Sequence, residues 1–321
     1  MVDVVMNVDK KEDFQNVHIP VMLNEVNTFL CEKQGEKNHI IFDGTLGGGG
    51  YTEHFLNSGA TVYACDLDEQ AIKRCGTRLN NFKTQLTLAQ ANFADYIEQF
   101  DDNFFDGIVL DLGYSSNQLE LEEKGFSYLK KDQLLDLRFD QTSGKPAWKA
   151  IVEMKSDTEL RDIFYRYSGE QLSAKFARLV MGYISKRDNQ KPILVGELTD
   201  LLVSAIPAKL AKKTAGILSR IWQSLRIWTN KEFDSLEHFL PTAIQKLKPN
   251  GRLAIVSFHS LEDKLVTKFF RDLSRPVEID QFGNTVTHFH LLTKKAATPS
   301  QEEIEQNPRS RSALLRCVEK I

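Results

Sequence analysis

Four groups of residues in the first third of the chain have the types and positions needed to bind and activate a small cofactor. They are the glycine-rich stretch DGTLGGGGY (43–51), the acids of CDLD (65–68), the pair NF (92–93) and the stretch DLGYSSNQ (111–118). Each follows a short apolar run, and in an open parallel sheet ligands bind beyond the carboxyl ends of the strands. The coincidence of the four predicts one ligand site along one edge of a sheet.

The glycine stretch fits neither common phosphate-binding pattern. A dinucleotide fingerprint needs G-x-G-x-x-G, but Gly47-x-Gly49 is followed by Thr52. A Walker loop needs a lysine where the chain has Tyr51 after Gly50. Because glycine lets the backbone approach a ligand closely, the stretch favours a cofactor without a pyrophosphate, such as S-adenosylmethionine. A purely structural or flexible loop is the alternative.

The acids and the aromatic residue at the other strand ends suit the remaining parts of that cofactor. Asp66 ends the second apolar run, where a carboxylate can accept both ribose hydroxyls; a helix N-cap is the alternative, and Asp68 suits that role better. Phe93 could lie flat on an adenine, or belong to the core. Asp111 follows the apolar run GIVL, and a charge at that depth is costly unless it meets hydrogen-bond donors. A ligand-facing role is therefore predicted for Asp111.

The elements that must position these residues alternate between strand and helix. Strands at this spacing, joined by helices, imply right-handed crossovers and an α/β fold with a parallel sheet covered on both faces. The predicted strands cover residues 39–43, 61–66, 86–90, 104–111 and 251–258, followed by VTHFHLL and RSALLRCVEK near the end of the chain.

The alternation stops between residues 120 and 215, which are charged and mostly helical in pattern. From residue 217 a single long amphipathic helix, ILSRIWQSLRIWTNKEFDSLEHFL, is predicted to return the chain to the sheet. We therefore predict a discontinuous α/β domain formed by residues 1–118 and 216–321, interrupted by a helical insertion at 119–215 that recognises the substrate.

The composition places limits on location and metal content. A length of 321 residues, 41% hydrophobic residues and a net charge of -3 are ordinary for a soluble globular protein of about two domains. No apolar run approaches the ~20 residues that cross a bilayer, and the N-terminus resembles neither a secretory signal nor a transit peptide. The four cysteines form no C-x-x-C pair. A cytoplasmic protein without a metal site or a membrane partner is expected.

Ten motifs in fixed order connect the chain to a known family. They are HIPVMLNEV, DGTLGGGGYT, CDLD, ANF, DGIVLDLGYSSNQLE, KGFSY, LLDLRFD, RIWQSLRIWTNKE, GRLAIVSFHSLEDKLV and NPRSRSALLR. In these motifs the sequence resembles, over nearly its whole length, the ribosomal RNA small subunit methyltransferase H (MraW-like) family. That family methylates the exocyclic N4 of a cytidine in the decoding region, at the P-site, of 16S-type ribosomal RNA.

The resemblance implies a Rossmann-like, class I methyltransferase sheet and S-adenosylmethionine as cofactor. It also implies a small-subunit ribosomal RNA partner within an assembled or nearly assembled subunit, and it leaves open whether the protein works as a homodimer. By the same resemblance the cofactor-binding residues are Gly49, Gly50, Tyr51, Asp66, Phe93, Asp111 and Gln118. Tyr51 and Gly48 depart from the pattern, because the family usually has histidine and arginine at these positions.

The chemistry of methyl transfer to a cytosine amino group suggests two catalytic residues. The amino lone pair is delocalised into the ring, so hydrogen-bond acceptors near the amino protons would help the nitrogen react. Asp111 and the DLGYSS turn are predicted to supply these acceptors, with Tyr114 as a stacking platform for the base. The alternative for Tyr114 is simple packing under the loop. A general base is not strictly required, since the methylated amine is acidic enough to lose its proton to water.

Basic residues near the second half of the chain are candidates for RNA contact. Residues 209–231 contain six Lys or Arg and no Asp or Glu, a pattern that indicates either a solvated helix face or a phosphate-binding surface. The predicted substrate-binding residues are Lys212, Lys213, Arg220, Arg226, His259, Arg309 and Arg311. The two tryptophans of this segment, Trp222 and Trp228, are predicted to be core residues.

His259 precedes the sequence Ser260-x-x-Asp263, which has the spacing of a capping box that starts a helix. The histidine could contact RNA or fill a structural role, and both interpretations remain open.

Other classes of protein are also compatible with the sequence. A nicotinamide oxidoreductase is disfavoured by the failed dinucleotide fingerprint. The same motifs are compatible with two alternatives, a noncatalytic cofactor-binding factor for ribosome assembly and an organellar ribosomal RNA methyltransferase.

Overall fold

The computed structural model describes residues 20–32, 38–113, 123–276, 278–279 and 285–321. Its centre is a seven-stranded sheet, and the predicted α/β class is confirmed. The strands that run parallel are β1 (Ile40–Asp43), β2 (Thr61–Asp66), β3 (Leu86–Gln90), β4 (Phe105–Asp111) and β5 (Leu247–Ser257). A separate pair is formed by β6 (Glu278–Ile279) and β7 (Thr285–Val286). The large sheet is completed by β8 (Phe289–Leu291) and β9 (Leu314–Lys320).

The order of strands in the sheet is β3-β2-β1-β4-β5-β9-β8, with β9 antiparallel to both neighbours. From β1 the chain moves outward through β2 and β3, then returns to place β4 on the other side of β1. The strand order therefore reverses between β1 and β4. Such a switch point opens a crevice beyond the carboxyl ends of the two strands.

Helices cover both faces of the sheet and also form a helical region between β4 and β5. They are α1 (Leu23–Asn27), α2 (Gly50–Asn57), α3 (Glu69–Arg78), α4 (Phe93–Ile97), α5 (Ala147–Val152), α6 (Asp157–Ser168), α7 (Ser173–Ile184), α8 (Val195–Ala205), α9 (Thr214–Asn230), α10 (Glu232–Lys246), α11 (Ser260–Leu273) and α12 (Gln301–Gln306). Within the described residues, no helix combines the length and the apolar character that a membrane crossing would need.

The strands are apolar on both sides because each face of the sheet has its own core. Successive side chains of a strand point to opposite faces. In β4, Val109 packs in the cluster under α2 and α3, whereas Ile108 and Leu110 pack in the cluster under α4, α10 and α11. This two-sided burial explains why the strands read as continuous apolar runs in the sequence.

A third hydrophobic cluster lies in the helical region and draws on residues from Phe126 to Leu225. Helix α9 contributes Ile217, Ile221 and Leu225 to it, so this helix packs with the inserted helices. Trp222 is 3% exposed, and its indole N–H donates to the Gly125 carbonyl at 3.0 Å. The predicted core placement of this tryptophan is confirmed. The division of the chain at residues 118 and 216 remains a prediction.

The prediction of one long helix after residue 217 is wrong. The structure has two helices, α9 and α10, separated at Lys231, whose backbone is left-handed with φ 52°. The side chain of Asn230 stabilises the break. Its amide donates to the Leu137 carbonyl at 2.7 Å, and its oxygen accepts from the Phe139 N–H at 2.9 Å. The apolar pattern continues through the break, so periodicity alone gives no sign of it.

The predicted capping box at Ser260 is also wrong, by one residue. The N-cap of α11 is His259, whose ring nitrogen Nδ1 accepts from the Glu262 N–H at 3.4 Å. In return, the Glu262 carboxylate accepts from the N–H groups of Phe258 and His259, at 2.9 and 3.3 Å. A reciprocal pair of this kind satisfies donors that a helix start otherwise leaves unpaired.

Candidate active site

A cavity lies at the switch point of the sheet, where the four groups of residues picked out in the sequence meet. Gly50, Tyr51, Asp66, Phe93 and Asp111 line it, as predicted cofactor residues. Gly49 is the N-cap of α2, next to them in the chain. Tyr114 and Gln118 lie outside the described residues. The other lining residues include Gly44, Asn92, Phe139, Asn230, Glu232, Phe233, Phe258, Glu262 and Arg309.

The glycine loop between β1 and α2 is shaped by three of its glycines. A Cβ on Gly44 would lie 2.3 Å from the Leu110 side chain and 2.9 Å from that of Phe93. Gly47 and Gly49 have φ values of 50° and 76°, which disfavour residues with a Cβ. The loop therefore requires glycine for close packing and for its turns, and this leaves its backbone uncovered at the cavity.

The Asp43 side chain holds the glycine loop in place through hydrogen bonds, a role that the sequence did not reveal. Its side chain is fully buried, accepts from the Thr52 hydroxyl at 2.7 Å and from the Thr45 N–H at 3.2 Å. Burial raises the pKa of the Asp43 carboxyl to about 6, although these two hydrogen bonds oppose the rise and the charge of Asp66 adds to it. The first acid of the DGT sequence thus ties the end of β1 to the first turn of α2.

Asp43 should make the folded protein less stable as the pH rises. Its folded pKa, about 6, lies above the unfolded value of 3.8. The stabilisation is therefore complete below pH 4 and is lost as the pH rises through 6, by about 3 kcal/mol for two pKa units. In urea unfolding from pH 4 to pH 8, Asp43→Asn should lack this loss. Parallel pH curves for the two proteins would contradict the assignment.

Asp66 stands at the end of β2 with its carboxylate already oriented. The carboxylate accepts from the Gly47 N–H at 2.8 Å and from the Asp68 N–H at 2.9 Å. Burial raises the pKa of Asp66, and these two N–H donors limit the rise. A carboxylate has about four lone-pair positions, so it can accept two further hydroxyl groups. Asp68 is the N-cap of α3, as the sequence suggested.

Asp66→Ala should weaken cofactor binding by roughly 100-fold, because two hydrogen bonds to a charged acceptor contribute about 3 kcal/mol together. Isothermal titration with S-adenosylhomocysteine measures this change. Asp95→Ala is the matched control, since Asp95 is an exposed acid on α4 close to Phe93. Equal affinities of the Asp66 variant and the control would remove Asp66 from the site.

Phe93 begins α4 and forms one wall of the cavity. Its ring lies edge-on to Phe239, with centroids 5.1 Å apart and an interplanar angle of 88°. Asn92 caps the helix by accepting from the Ala94 N–H at 2.9 Å, and its amide donates to the Ser235 hydroxyl at 2.8 Å. These contacts hold the Phe93 ring in a fixed position. Its predicted role as an adenine platform stays a prediction.

Asp111 ends β4 at the centre of the cavity. Its backbone N–H donates to the Thr45 hydroxyl at 2.6 Å, but its buried Oδ1 has no hydrogen-bond partner among the described residues. Burial, with added repulsion from Asp43 and Glu262, raises the pKa of Asp111 well above its usual value. A buried carboxylate without a partner is costly. The arrangement therefore favours a ligand that brings a cation or a hydrogen-bond donor to this oxygen.

The charges around the cavity also fit a cationic cofactor. Four carboxylates line its described wall, namely Asp66, Asp111, Glu232 and Glu262, against one guanidinium, that of Arg309. A cleft lined by one sign of charge concentrates ligands of the opposite sign. S-adenosylmethionine carries a sulfonium and an ammonium group, so it matches this wall better than a nucleotide with a pyrophosphate would.

The predicted substrate residues fall into different environments. Arg309 lines the cavity, and Arg311 is exposed on the same short helical turn, Pro308–Ser312. Arg226 is 5% exposed, and its guanidinium binds both carboxylate oxygens of Glu232 at 2.8 and 2.9 Å. This enclosed ion pair competes with the predicted RNA contact of Arg226, which stays a prediction.

The remaining basic residues lie further from the cavity. Arg220 pairs with Glu170 at 2.5 Å. Lys212 and Lys213 are exposed just before α9, and Asn230 at the other end of that helix lines the cavity. Seventeen helical residues span about 25 Å at 1.5 Å per residue. Contact between these lysines and RNA would therefore occur well away from the reacting base.

Several residues of the cavity were missed by the sequence reading. Asn230, Glu232 and Phe233 stand at the break between α9 and α10, and Glu262 stands in the capping box of α11. The signal for Asn230 and Glu232 was the run of polar residues TNKE (229–232), which Phe233 follows directly. For Glu262 the signal was the LED sequence (261–263), which begins four residues after the buried strand β5 ends.

The fold and the site together define a class of protein. Five parallel strands in the order 3-2-1-4-5 continue into an antiparallel β9, and a glycine loop follows β1. An acid ends β2 and the buried carboxylate ends β4. These features are those of a class I methyltransferase that uses S-adenosylmethionine.

The chain belongs to the MraW methylase family, whose model matches residues 15–321. Relatives with the name Ribosomal RNA small subunit methyltransferase H are similar to it over nearly their whole length. The protein of Rickettsia bellii is 36% identical over 315 residues, which cover 96% of this chain and 100% of the relative. Those of Carboxydothermus hydrogenoformans and Halothermothrix orenii are each 37% identical, covering 95% of this chain and 98% of the relative.

Proposed function

We propose that the protein transfers a methyl group from S-adenosylmethionine to the N4 nitrogen of a cytidine in the decoding region of small-subunit ribosomal RNA. The unpartnered Asp111 oxygen in an acidic cavity is the observation that carries the proposal. The similarity to relatives named for the small-subunit RNA supports the choice of substrate. The reaction would take place in the cytoplasm, on an assembled or nearly assembled subunit.

The residues of the chain would mainly bind and orient the reactants. The backbone of the glycine loop, the Asp66 carboxylate and the Phe93 ring would hold the methionine, ribose and adenine parts of the cofactor. The cofactor supplies a methyl group on a sulfonium. Asp111 would accept a hydrogen bond at its free Oδ1 and keep the target amino group in line with that methyl group. Holding reactants in attack geometry can contribute about 7–11 kcal/mol to such a reaction.

The target base must leave the RNA structure to reach Asp111. A base in structured RNA is splayed out before an enzyme can act on it, and groups on the enzyme then hold the neighbouring phosphates. Arg309 at the cavity and Arg311 beside it on the surface are placed for this task. Lys212, Lys213 and Arg220 would contact RNA at a greater distance from the target.

Nucleoside mass spectrometry tests the proposal directly. Small subunits that lack the modification, and naked RNA extracted from them, are incubated with the enzyme and isotope-labelled S-adenosylmethionine. Labelled N4-methylcytidine should appear with the assembled subunits, and digestion to fragments should place it in the decoding region. A label on another base, or on no base, would overturn the proposed substrate.

A further inference from the structure

The break between α9 and α10 brings a carboxylate from a helix end to the cavity. Glu232 is the first residue of α10, and it lines the cavity together with its neighbours Asn230 and Phe233. The turn is fixed by the left-handed Lys231 and by the hydrogen bonds of Asn230 to Leu137 and Phe139. The backbone conformation of this turn therefore determines where the Glu232 side chain lies.

Arg226 holds the Glu232 carboxylate in a defined orientation. It binds Oε1 through Nε at 2.8 Å and Oε2 through Nη2 at 2.9 Å, and its guanidinium is itself almost fully buried. Burial raises the pKa of Glu232, whereas the charge and hydrogen bonds of Arg226 lower it. Each oxygen uses one lone-pair position on Arg226 and keeps another. Arg226 thus offsets part of this rise, and among the described residues the Glu232 carboxylate has no other hydrogen-bond partner.

Glu262 connects Glu232 electrostatically with Asp111. Its negative charge acts on both carboxyl groups, and all three side chains line the cavity. Oε2 of Glu262 accepts from the N–H groups of Phe258 and His259, and Oε1 lies 2.7 Å from Nε2 of the His259 ring. Because Asp66 is assigned to the ribose of the cofactor, Asp111 on the sheet side and Glu232 on the helix side are the two acids that we assign to the substrate.

We propose that Glu232 is a catalytic and specificity-determining residue that accepts one proton of the target amino group while Asp111 accepts the other. This inference rests on the proposed function. An exocyclic amino group has two N–H donors, which match two carboxylates. The O4 oxygen of uracil is an acceptor and would be repelled by both. The pair thereby explains why the enzyme methylates cytidine rather than uridine.

The same geometry accounts for the proton that must leave. When the N4 nitrogen bonds the methyl carbon, the carbon–sulfur bond breaks and its electron pair stays on sulfur. The nitrogen then carries one proton too many. That proton passes along the existing hydrogen bond to a Glu232 oxygen, and from there to water. Arg226 acts as a positioning residue, because it touches Glu232 and not the substrate.

The test compares two Glu→Gln variants that each remove one partner of an arginine on α9. Glu232→Gln should lower kcat on assembled subunits by about 100-fold, as loss of one transition-state hydrogen-bond group typically does, while the Kd for S-adenosylhomocysteine changes little. Glu170→Gln is the control, since the buried Glu170 pairs with Arg220. It should lower Tm yet leave kcat unchanged.

A second measurement follows specificity rather than rate. Small subunits with uridine at the mapped target nucleotide are added as competitors of subunits with cytidine. They should inhibit Glu232→Gln about tenfold more strongly than the unmodified enzyme, because a neutral amide accommodates the O4 oxygen. If Glu232→Gln does not fold, the charge-balanced variant Arg226→Met/Glu232→Gln replaces it. A kcat within threefold of the unmodified enzyme, with unchanged discrimination, overturns the role of Glu232. Failure of the unmodified enzyme to form N4-methylcytidine would instead overturn the proposed function.

Discussion

Asp111→Asn should lower the rate of methyl transfer by about 100- to 1000-fold at saturating RNA and cofactor. An amide in place of the carboxylate supplies a weaker acceptor and no negative charge, and removing one such group from a preorganised site typically has an effect of this size. Single-turnover assays with labelled S-adenosylmethionine measure the rate. The asparagine variant should also gain less thermal stability on adding the cofactor, because the negative charge that attracts the sulfonium is lost.

Asp106 offers a control on the same strand. It lies near the opposite end of β4, where its carboxylate binds Lys248 at 2.9 Å and accepts from the Ile40 N–H at 2.7 Å. Asp106→Asn should lower stability and leave the rate unchanged. If Asp111→Asn methylated as fast as the Asp106 variant, the Asp111 carboxylate would have no part in the reaction.

Gly44→Ala should destabilise the protein by about 1–3 kcal/mol and weaken cofactor binding, since overpacking a close contact has a cost of this order. The added Cβ would lie 2.3 Å from Leu110 and 2.9 Å from Phe93, so β4 or the adenine wall must move. Urea unfolding and isothermal titration with S-adenosylhomocysteine measure the two effects. Both should be absent in Gly48→Ala, because no atom of the described residues beyond its chain neighbours lies within 4 Å of a Cβ at Gly48.

Gly48 and Tyr51 are the two positions at which the sequence departs from the pattern expected from the family resemblance. Open space at Gly48 means that the arginine usual in the family would fit without displacing the backbone. Gly48→Arg should therefore fold normally. At the other departure, the Tyr51 ring is buried and its hydroxyl donates to the Val21 carbonyl. Tyrosine thus ties α2 to the segment before α1. Loss of cofactor binding in Gly48→Arg would show that the loop cannot hold the larger residue.

The sheet was predictable because its strands carry local signals. The inner parallel strands β1, β2 and β4 are buried on both faces, so each appears in the sequence as a compact apolar run that ends in aspartate. The residues at those ends, such as Asp66 and Asp111, follow from the rule that parallel strands point their carboxyl ends at one edge. The fold class and this half of the cavity could therefore be inferred without coordinates.

The other half of the cavity could not be inferred, because it depends on contacts between distant residues. The sequence predicted Arg226 as an RNA contact, but in the structure it pairs with Glu232. The turn at Lys231 brings these two residues together. Asn230 makes that turn by binding Leu137 and Phe139, about ninety positions earlier. The burial of Arg226 and the end of α9 depend on tertiary contacts. The local sequence pattern was compatible with a buried or an exposed arginine, and with one helix or two.

The turn at Lys231 also determines which side chains of α10 face the cavity and which face the sheet. Each residue of an α-helix turns the next side chain by about 100°, so adding one residue at this position would rotate Glu232 and Phe233 away from the cavity while the apolar face of α10 lost its contact with the sheet. The length of the α9–α10 junction is accordingly fixed by two demands at once. A change in length here would therefore disturb the core and the active site together.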